Sequence, residues 1–215
     1  MSSESGIKTF RDSGGLWEEY DVTEVATPEA WAKNRELVLR FYNERRRQLA
    51  GCKPNEGHLG LAELEKHFDV HIITQNIDDL HERAGSTKIL HLHGELKKAR
   101  STVDHSLIND IGYNDINPGD KCKKGSQLRP NIVWFGEEVP MMDEAIRITC
   151  ESDIFVVIGS SMNVYPAAGL INYAPQKAPL WLIDPKEVEV YLNRKVEVIK
   201  EKASTGVAIL TERLM

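Results

Sequence analysis

The 215-residue chain is predicted to fold as an α/β domain built on a doubly wound parallel sheet. Short, continuously apolar runs at 70–74, 89–92, 131–135, 153–158 and 180–183 have the pattern of strands that are buried on both faces. Helical segments at about 141–151 and 166–175 separate several of these runs. Strands that alternate with helices indicate a parallel sheet with helices on both sides.

The segments outside this sheet are predicted from local signals. Thr27 followed by Pro28 is a helix start, because it offers a capping hydroxyl and a proline in the first turn, and this helix is expected to reach about Gln48. A second helix covers about 59–68. Residues 96–129 are polar and weakly periodic, which indicates a small inserted module.

Composition limits the function classes. The net charge of −6 argues against a nucleic-acid partner. No apolar stretch approaches the roughly 18 residues of a membrane span, and the first residues lack a signal peptide, so we expect a cytoplasmic protein without a membrane partner. Cys52, Cys122 and Cys150 form no CxxC pair, which favours reduced thiols over disulfides.

Polar side chains follow the first two strands of the predicted sheet. Gln75, Asn76 and Asp78 come after the first strand, where amides can bind ribose hydroxyls and a carboxylate can bind a carboxamide. His93 ends the second strand and suits a general base. Taken alone, the first group is also typical of a strand end that caps a helix, and His93 of a structural histidine.

Two further segments suit an anionic ligand. The glycine-punctuated loop at 6–17 holds Phe10 and Arg11, and Arg11 is suited to phosphate, although the loop is equally typical of a surface loop anchored by aromatic residues. Gly159, Ser160 and Ser161 follow a strand and precede a helix, where amide groups and hydroxyls can bind phosphate or ribose, but this turn is common.

Together, these motifs resemble the sirtuin family of NAD-dependent protein deacylases. The ordered set is FRDSGGLW (10–17), TQNID with LHERAG (74–85), HLHGE (91–95), RPNIVWFGE (129–137) and GSSMNVYPAAG (159–169). The resemblance covers essentially the whole chain and implies a Rossmann-like fold. It also implies that an acyl-lysine oxygen attacks the nicotinamide ribose of NAD, which releases nicotinamide and then lysine and O-acyl-ADP-ribose.

The resemblance assigns roles to individual residues. His93 matches the catalytic base, with Asn76 and Asp78 also in the catalytic set. The residues that match cofactor contacts are Phe10, Arg11, Gln75, Asn76, Ile77, Asp78, Gly159, Ser160, Ser161 and Asp184. The residues that match the substrate-peptide strand are Val133, Trp134, Phe135 and Gly136.

A subclass marker lies on the first long helix. Tyr42 and Arg45 are three residues apart and share a helix face, where they would bind a carboxylate at the end of an acyl chain. This YxxR pair resembles that of sirtuins that remove succinyl, malonyl or glutaryl groups. The alternative is a solvated basic face formed by Arg45, Arg46 and Arg47, and for Arg46 and Arg47 this alternative is the prediction.

The chain departs from the family pattern twice. Cys122 is the only cysteine between His93 and Arg129, and Ser101 stands where a first zinc cysteine is expected. One thiolate cannot hold a structural zinc, so we predict no metal and a module held by packing and hydrogen bonds. The family's first strand and Gly-Ala-Gly turn would precede Met1. We expect either an upstream start or another closure of the sheet, with NAD affinity and stability reduced in the 215-residue form.

The prediction is therefore one catalytic domain over 1–215. The expected partners are acyl-lysine protein substrates, and the expected state is a monomer. The Rossmann-like part comprises about 1–26, 59–95 and 130–215, and a small lobe comprises about 27–58 and 96–129. The alternatives are an NAD glycohydrolase or ADP-ribosyltransferase, and a catalytically impaired NAD-binding module.

Overall fold

The computed structural model describes residues 1–7, 20–160, 164–187 and 194–215. The helices are α1 Val22–Val25, α2 Pro28–Lys33, α3 Arg35–Gly51, α4 Glu56–Leu64, α5 Leu80–Ala84, α6 Met142–Cys150 and α7 Ala203–Leu214, with 3-10 helices at Ser2–Ser5 and Ala167–Asn172. The strands are β1 Ile72–Thr74, β2 Ile89–His91, β3 Gly94–Ser101, β4 Ile108–Asp110, β5 Leu128–Ile132, β6 Phe155–Ile158, β7 Leu180–Ile183 and β8 Glu197–Ile199. None of the helices in these ranges is long and apolar enough to cross a membrane.

The parallel strands confirm the doubly wound α/β class. β1 pairs with β2, and β7 lies between β6 and β8, all in parallel. Helices α4 and α7 cover one face through Leu61, Val207 and Leu210, and α6 covers the other through Ala145. Within the described ranges, the β1-β2 sheet and the β6-β7-β8 sheet are not hydrogen-bonded to each other. They share one apolar cluster, which contains Ile72 of β1 and Ile183 of β7.

The third sheet is antiparallel and corrects one expectation. β3 pairs with both β4 and β5, so the polar segment after residue 95 forms strands. The strand expected at 131–135 is instead β5, Leu128–Ile132, which is not part of either parallel sheet. Its central residue is Pro130, which β5 tolerates because it is the edge strand of the order β4-β3-β5.

The long helix predicted from Thr27 starts where expected but is interrupted. The Thr27 hydroxyl accepts the Ala30 amide at 3.0 Å, with Pro28 in the first turn. Asn34 then ends α2 and caps α3, because its side-chain oxygen accepts the Leu37 amide at 3.1 Å. The two helices bury Trp31, Phe41 and Tyr42 in one core with Trp134.

The prediction that Arg46 lies on a solvated face was wrong. Arg46 is fully buried, and its guanidinium donates to the Leu96 carbonyl at 2.6 Å and to the Asn43 side-chain oxygen at 2.7 Å. Burial lowers the pKa of Arg46 to about 10, although the negative charge of nearby Asp115 acts to raise it. Arg47 does face solvent, with a side chain 56% exposed that pairs with Asp115.

Close packing of α7 against β7 gives a stability prediction. A Cβ added to Gly206 would lie 2.2 Å from Cγ2 of Ile183. Gly206→Ala would elsewhere stabilise a helix by about 1 kcal/mol, but here we expect it to destabilise the fold by about 1–3 kcal/mol through overpacking. Urea unfolding measures the change. Thr205→Ala, at an exposed position of the same helix, is the control, and equal stability of the two variants would contradict this packing.

Candidate active site

The loop after β1 carries the first group of predicted site residues. The Asn76 amide donates to the Thr74 hydroxyl at 3.0 Å, which turns the chain at the end of the strand. Asp78 is buried and accepts the Leu80 amide at 3.2 Å, although the N-cap residue of α5 is Asp79. The Ile77 carbonyl accepts the Leu96 amide at 2.8 Å and ties the loop to β3. The loop is thus fixed at both ends.

Ser2 links the two polar side chains of this loop. Its hydroxyl accepts a hydrogen bond from the Asn76 side-chain amide at 2.8 Å and also hydrogen-bonds with the Asp78 carboxylate. Burial raises the pKa of Asp78, while the bonds from Ser2 and Leu80 oppose the shift. Ser2 was not among the predicted site residues, because it precedes the first of the ordered motifs, at 10–17.

His93 lies beside the same loop. Its Nδ1 is 3.1 Å from the Gln75 carbonyl, which can only accept, so Nδ1 carries the proton and the neutral ring keeps a lone pair on Nε2. Burial lowers the pKa of His93, partly offset by the bond to Gln75. Gly94 follows with φ of 79°, and a Cβ there would lie 1.9 Å from the Asn131 carbonyl, so only glycine allows β5 to approach.

A carboxylate–histidine group adjoins the loop. The potential ligand atoms of Glu82, His91 and Glu95 lie within 4.8 Å of one another. This spacing is close enough for the three side chains to hold a metal ion. His91 Nε2 is already 2.7 Å from Glu82, and Lys98 is 2.5 Å from Glu95. Glu82 and Glu95 are therefore each already hydrogen-bonded to a side chain of the protein.

The predicted peptide-binding segment follows β5. The Val133 amide donates to the His93 carbonyl and the Phe135 amide to the Ala26 carbonyl, each at 3.0 Å. Gly136 lies in the turn that follows, and the Phe135 side chain is 54% exposed. The segment is thereby fixed between the turn at His93 and the helical core.

A buried ion-pair network that was not predicted supports this segment. Glu137 accepts from Arg129 at 2.7 Å, from Arg100 at 3.1 Å and from the Trp134 amide at 2.8 Å. The Arg129 guanidinium also stacks on the Trp134 ring at 3.2 Å. Burial raises the pKa of Glu137, but the bonds from Arg129 and Trp134 outweigh it and the pKa is lowered.

The predicted acyl-recognition pair lies on α3. Tyr42 is buried, and its hydroxyl oxygen accepts the Trp134 indole N–H at 3.0 Å, so its own proton remains available for donation. Burial raises the pKa of Tyr42 well above its usual range, with the Trp134 bond opposing, so the phenol stays protonated. The Arg45 guanidinium lies 4.9 Å from the Phe41 ring centroid.

The ends of β6 and β7 carry the remaining predicted cofactor contacts. Gly159 has φ of 59°, and a Cβ there would lie 2.9 Å from the Met1 nitrogen, so the first residue reaches this strand end. Asp184 accepts the Lys186 amide at 2.8 Å. Ser160 follows Gly159, whereas Phe10, Arg11 and Ser161 lie outside the described residues.

These positions fit a dinucleotide. The Gln75–Asp78 loop and Gly159 follow the carboxyl ends of β1 and β6, where open α/β sheets bind such ligands. A depression of about 420 Å³ lies at the amino ends of β1 and β2 instead, and its lining includes Asp69, Val70 and Thr87 but none of the predicted site residues.

In the small antiparallel sheet, three side chains form a polar cluster. Ser101 and Ser126 hydroxyls are 3.0 Å apart, and Cys122 Sγ is 3.1 Å from the Ser126 hydroxyl. Hydrogen bonds from Ser101 and Ser126 lower the pKa of Cys122 to about 7. Hydrogen bonds thus join the strand end at Ser101 to the turn at 122–126.

Comparisons with known proteins agree on one family. The Sir2 family model matches residues 1–166. An NAD-dependent protein deacylase of Bacteroides thetaiotaomicron is 53% identical over 220 residues, covering 100% of this chain and 94% of the relative. One of Helicobacter pylori is 52% identical over 215 residues, covering 100% and 93%. A solved Sir2 homologue–NAD complex superposes with a TM-score of 0.87 at 38% identity, covering 100% of this chain and 87% of that one.

Proposed function

Because the chain belongs to the Sir2 family, we propose that it is an NAD-dependent protein-lysine deacylase that removes succinyl, malonyl and acetyl groups and yields O-acyl-ADP-ribose. The observation that carries the proposal is the position of His93. Its Nδ1 is held by the Gln75 carbonyl, in the loop that also carries Asn76 and Asp78. A neutral imidazole oriented in this way is a ready proton acceptor at Nε2.

Different residues of the loop are proposed to contact different parts of the cofactor. When bound, NAD supplies the ribose carbon that receives the acyl oxygen. We propose that Asn76, held by Ser2, binds the ribose and that buried Asp78 binds the carboxamide. The remaining proposed contacts are Phe10, Arg11, Gln75, Ile77, Gly159, Ser160, Ser161 and Asp184.

The peptide is proposed to add as a strand beside 133–136. The amides of Val133, Trp134 and Phe135 already donate within the chain. A peptide strand would therefore donate its own amides to backbone carbonyls here, and the exposed Phe135 side chain would cover it.

Acidic acyl groups are proposed as substrates because of Tyr42 and Arg45. Tyr42 keeps a proton to donate, and Arg45 lies one helical turn away and supplies positive charge. Together they would bind a terminal carboxylate, whereas an acetyl group offers them nothing to bind.

Arg45→Met should lower kcat/KM for a succinyl-lysine peptide by about 10- to 150-fold, as expected for losing hydrogen bonds to a charged group worth about 1.5–3 kcal/mol. Deacetylation of the matched acetyl-lysine peptide should change less than about threefold. Arg47→Met, which removes an exposed arginine two residues away, is the control. Equal losses on both peptides would refute an acyl-recognition role.

The same assay separates the alternative activities. NAD consumption that does not require an acyl peptide would indicate a glycohydrolase or an ADP-ribosyltransferase. A thermal shift with NAD but no turnover of either reactant would indicate an impaired NAD-binding module. The proposed deacylase requires that nicotinamide and free lysine form in equal amounts.

A further inference from the structure

His91 makes two hydrogen bonds that the proposed mechanism does not use. Its side chain is 7% exposed, and both ring nitrogens meet acceptors. Nε2 lies 2.7 Å from the Glu82 carboxylate and Nδ1 lies 3.2 Å from the Asn76 carbonyl. An imidazole can donate from both nitrogens only when it is protonated. The two contacts therefore describe an imidazolium ion that bridges α5 and the loop after β1.

The contrast with His93 shows what this bridge does. His91 and His93 lie two residues apart and contact consecutive carbonyls of the loop, those of Asn76 and Gln75. His93 has one such acceptor and a lowered pKa, which suits a neutral base. Burial would lower the pKa of His91, but its bond to Glu82 and the charge of Glu82 raise it.

The groups around His91 agree with a charged ring. Those that face it are Glu82 and His81 on α5, Asp78 in the loop, and Glu95 on β3, which also pairs with Lys98. Burial lowers the pKa of His81 to about 4, so His81 is neutral near pH 7. The ring therefore faces the carboxyl groups of Glu82, Asp78 and Glu95, and no charged His81 opposes them.

We propose that His91 is a positioning residue, whose imidazolium fixes the Gln75–Asp78 loop by joining the Asn76 carbonyl to Glu82. The inference rests on the proposed role of this loop in holding the nicotinamide ribose. Fixing the Asn76 peptide plane also fixes the direction of its side chain. Loss of such positioning weakens cofactor binding before it affects the proton transfer at His93, since small misplacements are costly in a preorganised site.

Two near-isosteric substitutions separate the two contacts. In His91→Asn the side-chain amide reaches the position of Nδ1 and keeps a donor toward the Asn76 carbonyl. In His91→Gln it reaches the position of Nε2 and keeps a donor toward Glu82. We expect the KM for NAD to rise about tenfold in His91→Gln and less than about threefold in His91→Asn, with kcat changed less than about threefold in both.

The pH profile provides a readout that a purely structural role would not move. In the wild type, kcat/KM for NAD should fall at alkaline pH as His91 loses its proton. Glu82→Gln keeps a hydrogen-bond acceptor but removes the charge, so this alkaline fall should move to lower pH. His67→Gln, at an exposed histidine outside the site, should leave the profile unchanged.

Equal effects of His91→Asn and His91→Gln, or an alkaline fall that Glu82→Gln leaves in place, would overturn the proposal. The dissociation constant of NAD, measured by calorimetry, gives the same comparison without turnover. If the wild type binds NAD but transfers no acyl group, the proposed function fails, and the ranking of the two variants in NAD affinity still decides the role of His91.

Discussion

His93→Asn should lower kcat for deacylation by about 100- to 10,000-fold, the range expected for removing a general base. Asparagine keeps a donor toward the Gln75 carbonyl, which the Nδ1 of His93 contacts at 3.1 Å, but has no basic nitrogen. The loop should keep its conformation, so NAD affinity should remain within about threefold of the wild type. Steady-state kinetics with an acyl-lysine peptide, together with calorimetry for NAD, measures both quantities.

The pH dependence of the wild type provides a second check on His93. Burial lowers its pKa from the usual value near 6.5, so the base is already unprotonated at neutral pH. The acidic limb of the kcat profile should therefore lie below pH 6.5. His67→Gln serves as the control histidine. Retention of substantial activity in His93→Asn would remove His93 from the catalytic role and require a different base.

The parts of the fold that could be predicted depend on local pattern. The apolar runs at β1, β2, β6 and β7 were placed correctly because each is continuously apolar and ends in polar residues. The strand at 131–135 was misplaced because Trp134 is buried in a loop and not in a strand. Its ring packs against the Arg129 guanidinium, and its indole N–H donates to the Tyr42 hydroxyl. The true strand contains Pro130, which is tolerated because the strand lies at the edge of its sheet.

In the site, too, residues within local motifs could be predicted, and residues with distant partners could not. Gln75, Asn76, Asp78 and His93 were predicted from motifs at strand ends, and β1 and β3 bring them together. The roles of residues whose partners are distant in the sequence could not be predicted. Arg46 can be buried because its guanidinium donates a hydrogen bond to the carbonyl of Leu96, fifty residues away. Local composition does not show such a distant partner, so Arg46 and Arg47 received the same prediction although only Arg47 faces solvent.

Glu137→Ala should destabilise the fold by about 3–5 kcal/mol, the cost of leaving buried charges without their partner. Glu137 serves two buried guanidinium groups, those of Arg100 and Arg129, and also accepts the Trp134 amide. The control is Glu144→Ala, which removes an exposed ion pair with Arg147 and should cost no more than about 1 kcal/mol. Urea unfolding at pH 7 measures both changes.

The pH dependence of this difference follows from the lowered pKa of Glu137, in which bonds from Arg129 and Trp134 outweigh burial. A carboxylate with a depressed folded-state pKa stabilises fully above its unfolded value, near 4.3, and loses the contribution as pH falls through the folded value. The gap between the wild type and Glu137→Ala should therefore narrow below about pH 4. Since Trp134 also donates to Tyr42, the variant should lose selectivity for succinyl-lysine even where it remains folded. A gap that is constant from pH 7 to pH 3 would show that Glu137 acts through its shape rather than its charge.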